Sequence, residues 1–434
     1  VTDLYQLTMM AGYLACGMDR ESASFELFVR RLPPNRSYLV FAGLEQAIGD
    51  LLELAFSAQQ IEAIRALPAF ASVDPEFFGW LGSLRFEGDL WAIPEGTIVF
   101  PGETLLRITA PLPQAQWVET FLLASLSYTT LVASKASRIV TTARGKTLMD
   151  FGARRGHGPH SGLLAARASY LAGFDGTSHL EAALRLGIPA SGTMAHSWVQ
   201  SFDTEEEAFS AYARVFPGST TLLVDTYDTL EGARRAAAVE PPIQAVRIDS
   251  GDPGVLSRGV REILDRHGRS SVKIVASGDL DETAIDRLVS GGAPIDGFGV
   301  GTELITSRDA PALSMVYKLV ESDGRGRIKL SPGKKTYPMA KQVYRQSDRE
   351  GEFAGDLVTR ADETAEGEPL LVRFIERGRL VRELPPLNAI RDHCAGQRER
   401  LPEAWKSLGH APEYPIRYSD SLEADARLLM GQGG

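Results

Sequence analysis

Thr221-Leu222-Leu223-Val224-Asp225-Thr226 opens a series in which one local pattern returns three more times. The later members are Ala245-Val246-Arg247-Ile248-Asp249-Ser250-Gly251-Asp252, Lys273-Ile274-Val275-Ala276-Ser277-Gly278-Asp279 and Ile295-Asp296-Gly297-Phe298-Gly299-Val300-Gly301-Thr302. Each is a short apolar run that reads as a buried strand, and each stops in small or polar residues. Segments of helical periodicity lie between them, for example Leu256 to His267 and Glu282 to Val289. A strand end about every two to three dozen residues is the pitch of β/α units, whose helical crossovers require a parallel sheet. Leu148-Met149-Asp150-Phe151-Gly152 and Gly173-Phe174-Asp175-Gly176-Thr177-Ser178 extend the pattern towards the N-terminus. Units of this kind closing on themselves form a barrel with its chemistry at the C-terminal strand ends, and an open doubly wound sheet is the alternative.

Outside this run the character changes. The first part, residues 1–113, mixes helices with strands such as Phe25-Glu26-Leu27-Phe28-Val29-Arg30 and reads as α+β. A long helix over roughly 114–144, carrying Lys135 and Arg138, opens the α/β segment, taken as 114–316. From 317 to 434 the chain is mixed again, with a basic loop at Lys329-Leu330-Ser331-Pro332-Gly333-Lys334.

Composition excludes several classes. The 434 residues are 44% hydrophobic and 24% charged, enough for a large core, and the net charge of -10 argues against broad binding to nucleic acid or acidic membranes. An anionic substrate must therefore meet a local group of Arg and Lys. Two cysteines far apart make no metal-ligand spacing, and no apolar run spans a membrane. With no secretory pattern at the N-terminus, a cytoplasmic protein is expected.

The strand ends carry the candidate chemistry. Gly299, Gly301 and Thr302, with Ser277, Gly278 and Asp279 on the preceding end, offer open backbone N–H groups and hydroxyls suited to a phosphate. Arg247 and Asp249 lie two apart on a strand and point the same way, as a buried ion pair or a functional pair. Phe151 followed by Arg154 and Arg155 joins an aromatic face to guanidinium groups, which suits a flat anionic ring. His196, in Gly192-Thr193-Met194-Ala195-His196-Ser197, sits on a loop before Thr204-Glu205-Glu206-Glu207, whose spacing reads as a helix-opening capping box. The residues alone indicate an enzyme acting on a phosphorylated, anionic substrate that includes a planar ring.

Seven stretches in order resemble the nicotinate phosphoribosyltransferase family: Thr2-Asp3-Leu4-Tyr5-Gln6, 150–155, 173–178, 192–197, 247–252, 299–302 and 329–334. The resemblance implies an irregular (β/α) barrel packed against an α+β domain formed by both chain ends, and a homodimer with the active site at the subunit interface. It implies transfer of phosphoribosyl from phosphoribosyl pyrophosphate to nicotinate, coupled to ATP and requiring Mg2+, with metal ligands unassigned. By the same resemblance His196 becomes phosphorylated and Asp249 stabilises charge at the ribose. Tyr5, reaching in from the partner, and Phe151 sandwich the pyridine, while Thr193, Arg247 and Arg154 hold nicotinate. Ser277, Gly278, Asp279, Gly299, Gly301 and Thr302 hold ribose and phosphate, and Lys135, Arg138, Lys334 and Lys341 are candidates for pyrophosphate or ATP.

The chain departs from the family at Met339, where a glycine is expected. Relatives that use nicotinamide carry an acidic residue at the position of Ser178, so Ser178 points to nicotinate. A nicotinamide enzyme and a catalytically silent nucleotide-binding relative remain the alternatives; a decarboxylating quinolinate enzyme lacks the His196 motif.

Overall fold

The computed structural model describes residues 2–331, 336–409 and 411–432. They form two compact units, one of Val132–Pro311 and one of Val1–Leu131 with Ala312–Gly434. The sequence reading put the first boundary at 113/114. It falls instead inside the helix Glu119–Ala143, because Phe121, Leu122 and Leu126 on the first half of that helix belong to the core of the chain-end unit.

The Val132–Pro311 unit is built on six parallel strands: β1 (Thr147–Asp150), β2 (Gly176–Thr177), β3 (Thr221–Leu223), β4 (Ala245–Ile248), β5 (Lys273–Ser277) and β6 (Gly297–Val300). Their order is β2-β1-β6-β5-β4-β3, so the strands follow one another around a curled sheet in chain order. That is the (β/α) barrel arrangement, with the hydrogen-bonded ladder open between β2 and β3. A lone parallel bridge from Thr177 to Ala190 marks the open seam, and the His196 segment follows it directly.

Helices follow the strand ends, and three of them have aspartate caps. Asp228, Asp252 and Asp281 accept backbone N–H bonds from Glu231, Gly254 and Ala284, closing the first turns of the helices that begin at Thr229, Pro253 and Glu282. Thr204 caps Glu205–Val215 through the Glu207 N–H, half of the expected capping box.

In the other unit, both ends of the chain share one sheet. Ser22–Val29 lies antiparallel between Thr104–Pro111 and Met315–Ser322, so neither end can form the sheet alone. A second sheet pairs Lys341–Ser347 with Phe353–Arg360, and the parallel Ile416–Tyr418 strand adds to its edge. Inside it Arg345 is fully buried, bound by Asp356, Glu103, Gln397 and the carbonyl of Ile98.

Candidate active site at the strand ends of the barrel unit

Three aspartates organise the C-terminal strand ends, each in a different way. Asp150, at the end of β1, is buried, and one oxygen accepts from Gly152 N at 2.8 Å while the other accepts from the Thr177 hydroxyl at 2.8 Å. Burial raises its pKa despite these bonds. It ties the ends of β1 and β2 together, and its carbonyl receives the Ser178 N–H. Asp225, just past β3, accepts with Oδ2 from Asp249 N at 2.9 Å and from the Ser250 hydroxyl at 2.6 Å. Its Oδ1 is buried without a hydrogen-bond partner. Asp249, after β4, accepts from the Ser277 hydroxyl at 2.5 Å.

His196 is the first residue of the short helix His196–Gln200. Its Nδ1 lies 3.2 Å from the Thr226 hydroxyl, and its Nε2 lies 4.0 Å from that orphaned Asp225 Oδ1. The imidazole is 40% exposed and the Asp225 side chain 1%, so an open imidazole stands over a buried carboxylate. A bare buried acceptor is costly, which marks Asp225 Oδ1 as a group kept for His196 or for a ligand.

Arg247 and Asp249 do not pair with each other. Arg247 donates from Nη2 to the carbonyl of Met194 at 3.1 Å, and the Thr193 hydroxyl donates to the same oxygen at 3.2 Å. The Arg247 Nε is buried without a partner. Burial lowers its pKa, opposed by the charges of Asp249 and Asp225, while Arg154 adds to the lowering. Thr193 and Arg247 thus share the Met194 carbonyl, and Arg154 is near enough for its charge to act on Arg247, whose Nε remains an unspent donor.

The glycines prove to be about close approach. A Cβ on Gly299 would meet the Phe151 ring at 2.3 Å, so the ring packs directly on the Gly299 backbone at the end of β6, where the Phe151 N–H bonds to Val300 O. A Cβ on Gly301 would meet the Phe151 carbonyl at 3.2 Å. Gly278 has φ +89° and would strike the Asp249 carbonyl at 2.2 Å, and Asp279 beside it also adopts positive φ, at +45°. Ser277 and Gly278 therefore sit against Asp249, with Asp279 next in the chain, while Gly299 and Gly301 sit against Phe151, and Thr302 opens the short helix Thr302–Ile305.

Other expected site residues lie elsewhere. Lys135 is buried with Glu282 at 2.7 Å and Asp309 at 2.8 Å, and Arg138 binds the same Glu282 at 3.1 Å. Both charges are neutralised inside the unit, whereas Arg154 and Arg155, past the end of β1, are exposed. Tyr5 is 45% exposed on the first turn of Leu4–Ala15 in the chain-end unit. Lys341, in that same unit, is buried on Glu26 at 2.8 Å, and Lys334 lies outside the described residues.

Sequence reasoning passed over Asp225 and Thr226 as mere strand-end markers. The available signal was that Asp225 ends its strand as Asp249 ends the next. Asp252, within the same acidic turn as Asp249, is a helix cap, a distinction that spacing alone does not make.

Comparison with known proteins agrees across the chain. Models described as the nicotinate phosphoribosyltransferase N-terminal domain, family and C-terminal domain match residues 1–127, 146–341 and 364–425. The chain is 46% identical over 436 aligned positions to nicotinate phosphoribosyltransferase pncB2 of Mycobacterium tuberculosis, covering 99% of this chain and 93% of that one. It is 37% identical over 458 positions to nicotinate phosphoribosyltransferase of Bacillus subtilis, with 96% and 92% covered. The crystal structure of human nicotinic acid phosphoribosyltransferase superposes with a TM-score of 0.88 at 29% identity, covering 99% of this chain and 100% of that one.

Proposed function

This chain belongs to the nicotinate phosphoribosyltransferase family, and from that premise we propose that it joins nicotinate to phosphoribosyl pyrophosphate in NAD salvage, coupled to ATP through His196. The observation that carries the reading is the open imidazole set between the Thr226 hydroxyl and the orphaned Asp225 oxygen.

In the coupling step an imidazole nitrogen attacks the γ-phosphorus of ATP, the N–P bond forms, and the bond to the leaving ADP breaks. Asp225 balances the positive charge that builds on the ring, and Thr226 fixes the ring's orientation. In the transfer, the pyridine nitrogen of nicotinate bonds to the ribose carbon as pyrophosphate leaves. Asp249 faces the charge developing on the ribose, held in place by the Ser277 hydroxyl on its side chain and by Asp225 on its backbone N–H. Phe151 supplies a flat apolar face for the pyridine, and Arg247, Arg154 and Thr193 receive its carboxylate. Water then releases phosphate from His196, which draws the transfer forward.

Mg2+ fits this arrangement through the substrate. No group of three or more ligating side chains occurs among the described residues. An ion at the site would therefore take most ligands from phosphates and water, with Asp225 and Asp249 as the carboxylates at hand. Bound there, it would neutralise charge on the leaving pyrophosphate.

We assign Tyr5 to the nicotinate site of a second copy, since Leu4, Tyr5 and Met9 leave an apolar face of their helix exposed. The activity belongs in the cytoplasm, where its phosphorylated substrates are made. Among the described residues no helix is long and apolar enough to cross a membrane.

The test follows mononucleotide and ADP together, using phosphoribosyl pyrophosphate, Mg2+ and either nicotinate or nicotinamide, with and without ATP. The reading expects product from nicotinate that rises with ATP, and a His196→Ala variant in which ATP no longer stimulates. Product from nicotinamide alone would overturn the role given to Ser178, and full ATP stimulation in His196→Ala would overturn the phosphohistidine.

A further inference from the structure

Asp150, Asp249 and Ser277 hang from paired strands, but His196 does not. It follows the open seam of the barrel, on a helix of five residues whose N-cap, Ala195, supplies no side-chain bond. A helix this short has no stability of its own. The ring itself has one hydrogen bond, to Thr226. Something else must set where the imidazole stands.

That restraint comes from the other side of the helix. The Trp198 indole N–H donates to the carbonyl of Ala208 at 3.0 Å. Its ring lies 5.0 Å from Phe202 and edge-on to Tyr212 at 5.7 Å, and Tyr212 in turn lies 4.8 Å from Phe216. Ala208 and Tyr212 belong to Glu205–Val215, which is anchored by the buried Ala208, Phe209 and Ala213 and by the ion pair from Glu205 to Arg235. Val199, fully buried, is the second foot of the short helix.

We propose that Trp198 is a positioning residue for His196: its indole clamps the short helix to Glu205–Val215 and takes the place of the strand pairing that the open seam lacks. The clamp keeps the imidazole over Asp225 and beside Thr226 without touching substrate. Misplacing a reacting group by about 1 Å costs on the order of a hundredfold in rate. Loss of the clamp therefore falls on the ATP-coupled step, while Asp249 and Ser277, assigned to the ribose, keep their own supports on paired strands.

The proposal rests on His196 coupling ATP to the transfer, and the experiment separates the two. Wild type, Trp198→Phe and Trp198→Ala are assayed for mononucleotide formation with and without ATP, and for label transferred to the protein from γ-labelled ATP. Trp198→Ala is expected to lose about tenfold to a hundredfold of its ATP stimulation and labelling rate. Its ATP-free KM for phosphoribosyl pyrophosphate should stay within about twofold of wild type. Trp198→Phe, which keeps an aromatic ring but not the N–H, should fall between the two. If Trp198→Ala does not fold, Trp198→Phe decides, since the clamp requires its ATP stimulation to drop more than its ATP-free rate. Unchanged stimulation, or equal loss of both rates, overturns the clamp. A wild type that ATP neither labels nor stimulates overturns the reading of His196, and the clamp with it.

Discussion

Arg345 and Arg247 both stand on strands, the first buried and the second half-buried with a buried Nε, yet their surroundings differ. Arg345, in the unit made from the chain ends, is enclosed by a bidentate Asp356, by Glu103, by Gln397 and by the carbonyl of Ile98. Arg247, at the strand ends of the barrel unit, donates to one carbonyl and keeps a buried Nε without a partner. A saturated buried charge holds a fold together. One left partly unsatisfied is held ready for something else, because its desolvation has already been met by the fold and a ligand supplies the missing bonds.

The largest test of that contrast is Arg345→Met, which strands Asp356 in the core. It should cost roughly 3 to 5 kcal/mol of stability, read as a fall in the denaturation midpoint. A loss below about 1 kcal/mol would mean the cluster does not hold the fold together. Arg247→Met is the counterpart. It should weaken nicotinate by roughly 1.5 to 3 kcal/mol, about ten- to a hundredfold in KM, with a smaller change in midpoint than Arg345→Met. Reversed magnitudes would break the comparison.

Glu103 sharpens it further. Burial, with Asp356 close by, pushes the Glu103 pKa well up, while Asp356 is held down by the Glu103 hydrogen bond and by Arg345 against its own burial. Of the two carboxyls, Glu103 is thus the one that holds a proton to higher pH. Glu103→Gln, which keeps the neutral hydrogen-bonding shape, should cost about 1 kcal/mol, less than Asp356→Asn. The sign with pH also follows. Because the folded value lies above the ordinary 4.5, the unfolded chain releases this proton first as pH rises, so the contribution of Glu103 is full below 4.5 and declines through the raised folded value. Glu103→Gln should therefore gain on wild type as pH rises through that range, and a constant difference between them would remove the proton from Glu103.

The smallest effect concerns the departure at Met339. Its φ is +66°, in the left-handed region that favours glycine, so the glycine expected there has a backbone reason that this chain overrides. Left-handed backbone costs a side chain about 1 to 2 kcal/mol, and glycine returns about half of that in unfolded-state entropy. Met339→Gly should raise stability by about 0.5 kcal/mol, and a fall in the melting temperature would show that the methionine packs well enough to outweigh the strain.

Much of this was legible in the sequence, for physical reasons. Buried parallel strands need continuous apolar runs, and polar strand ends are where a barrel places chemistry, so β3 to β6 and the residues Asp249, Ser277 and Thr302 could be read directly. Arg247 and Asp249 could be placed on one side of a strand because side-chain direction there has a period of two. Their partners could not, because Met194 and Ser277 are 53 and 28 residues away in the chain.

The sequence by itself determined the alternation of strands and helices, the shared face of the candidate residues, and a family resemblance running along nearly the whole chain. Only the tertiary structure decided which cations are open and which are closed. Lys135 and Arg138 look available in a linear chain and are neutralised by Glu282, more than a hundred residues on. Only the structure decided, too, that Asp225 stands under His196 and that Gly299 is small to admit the Phe151 ring. Local pattern follows from backbone geometry, which each residue carries with it, whereas charge pairing and close approach depend on residues that folding alone brings together.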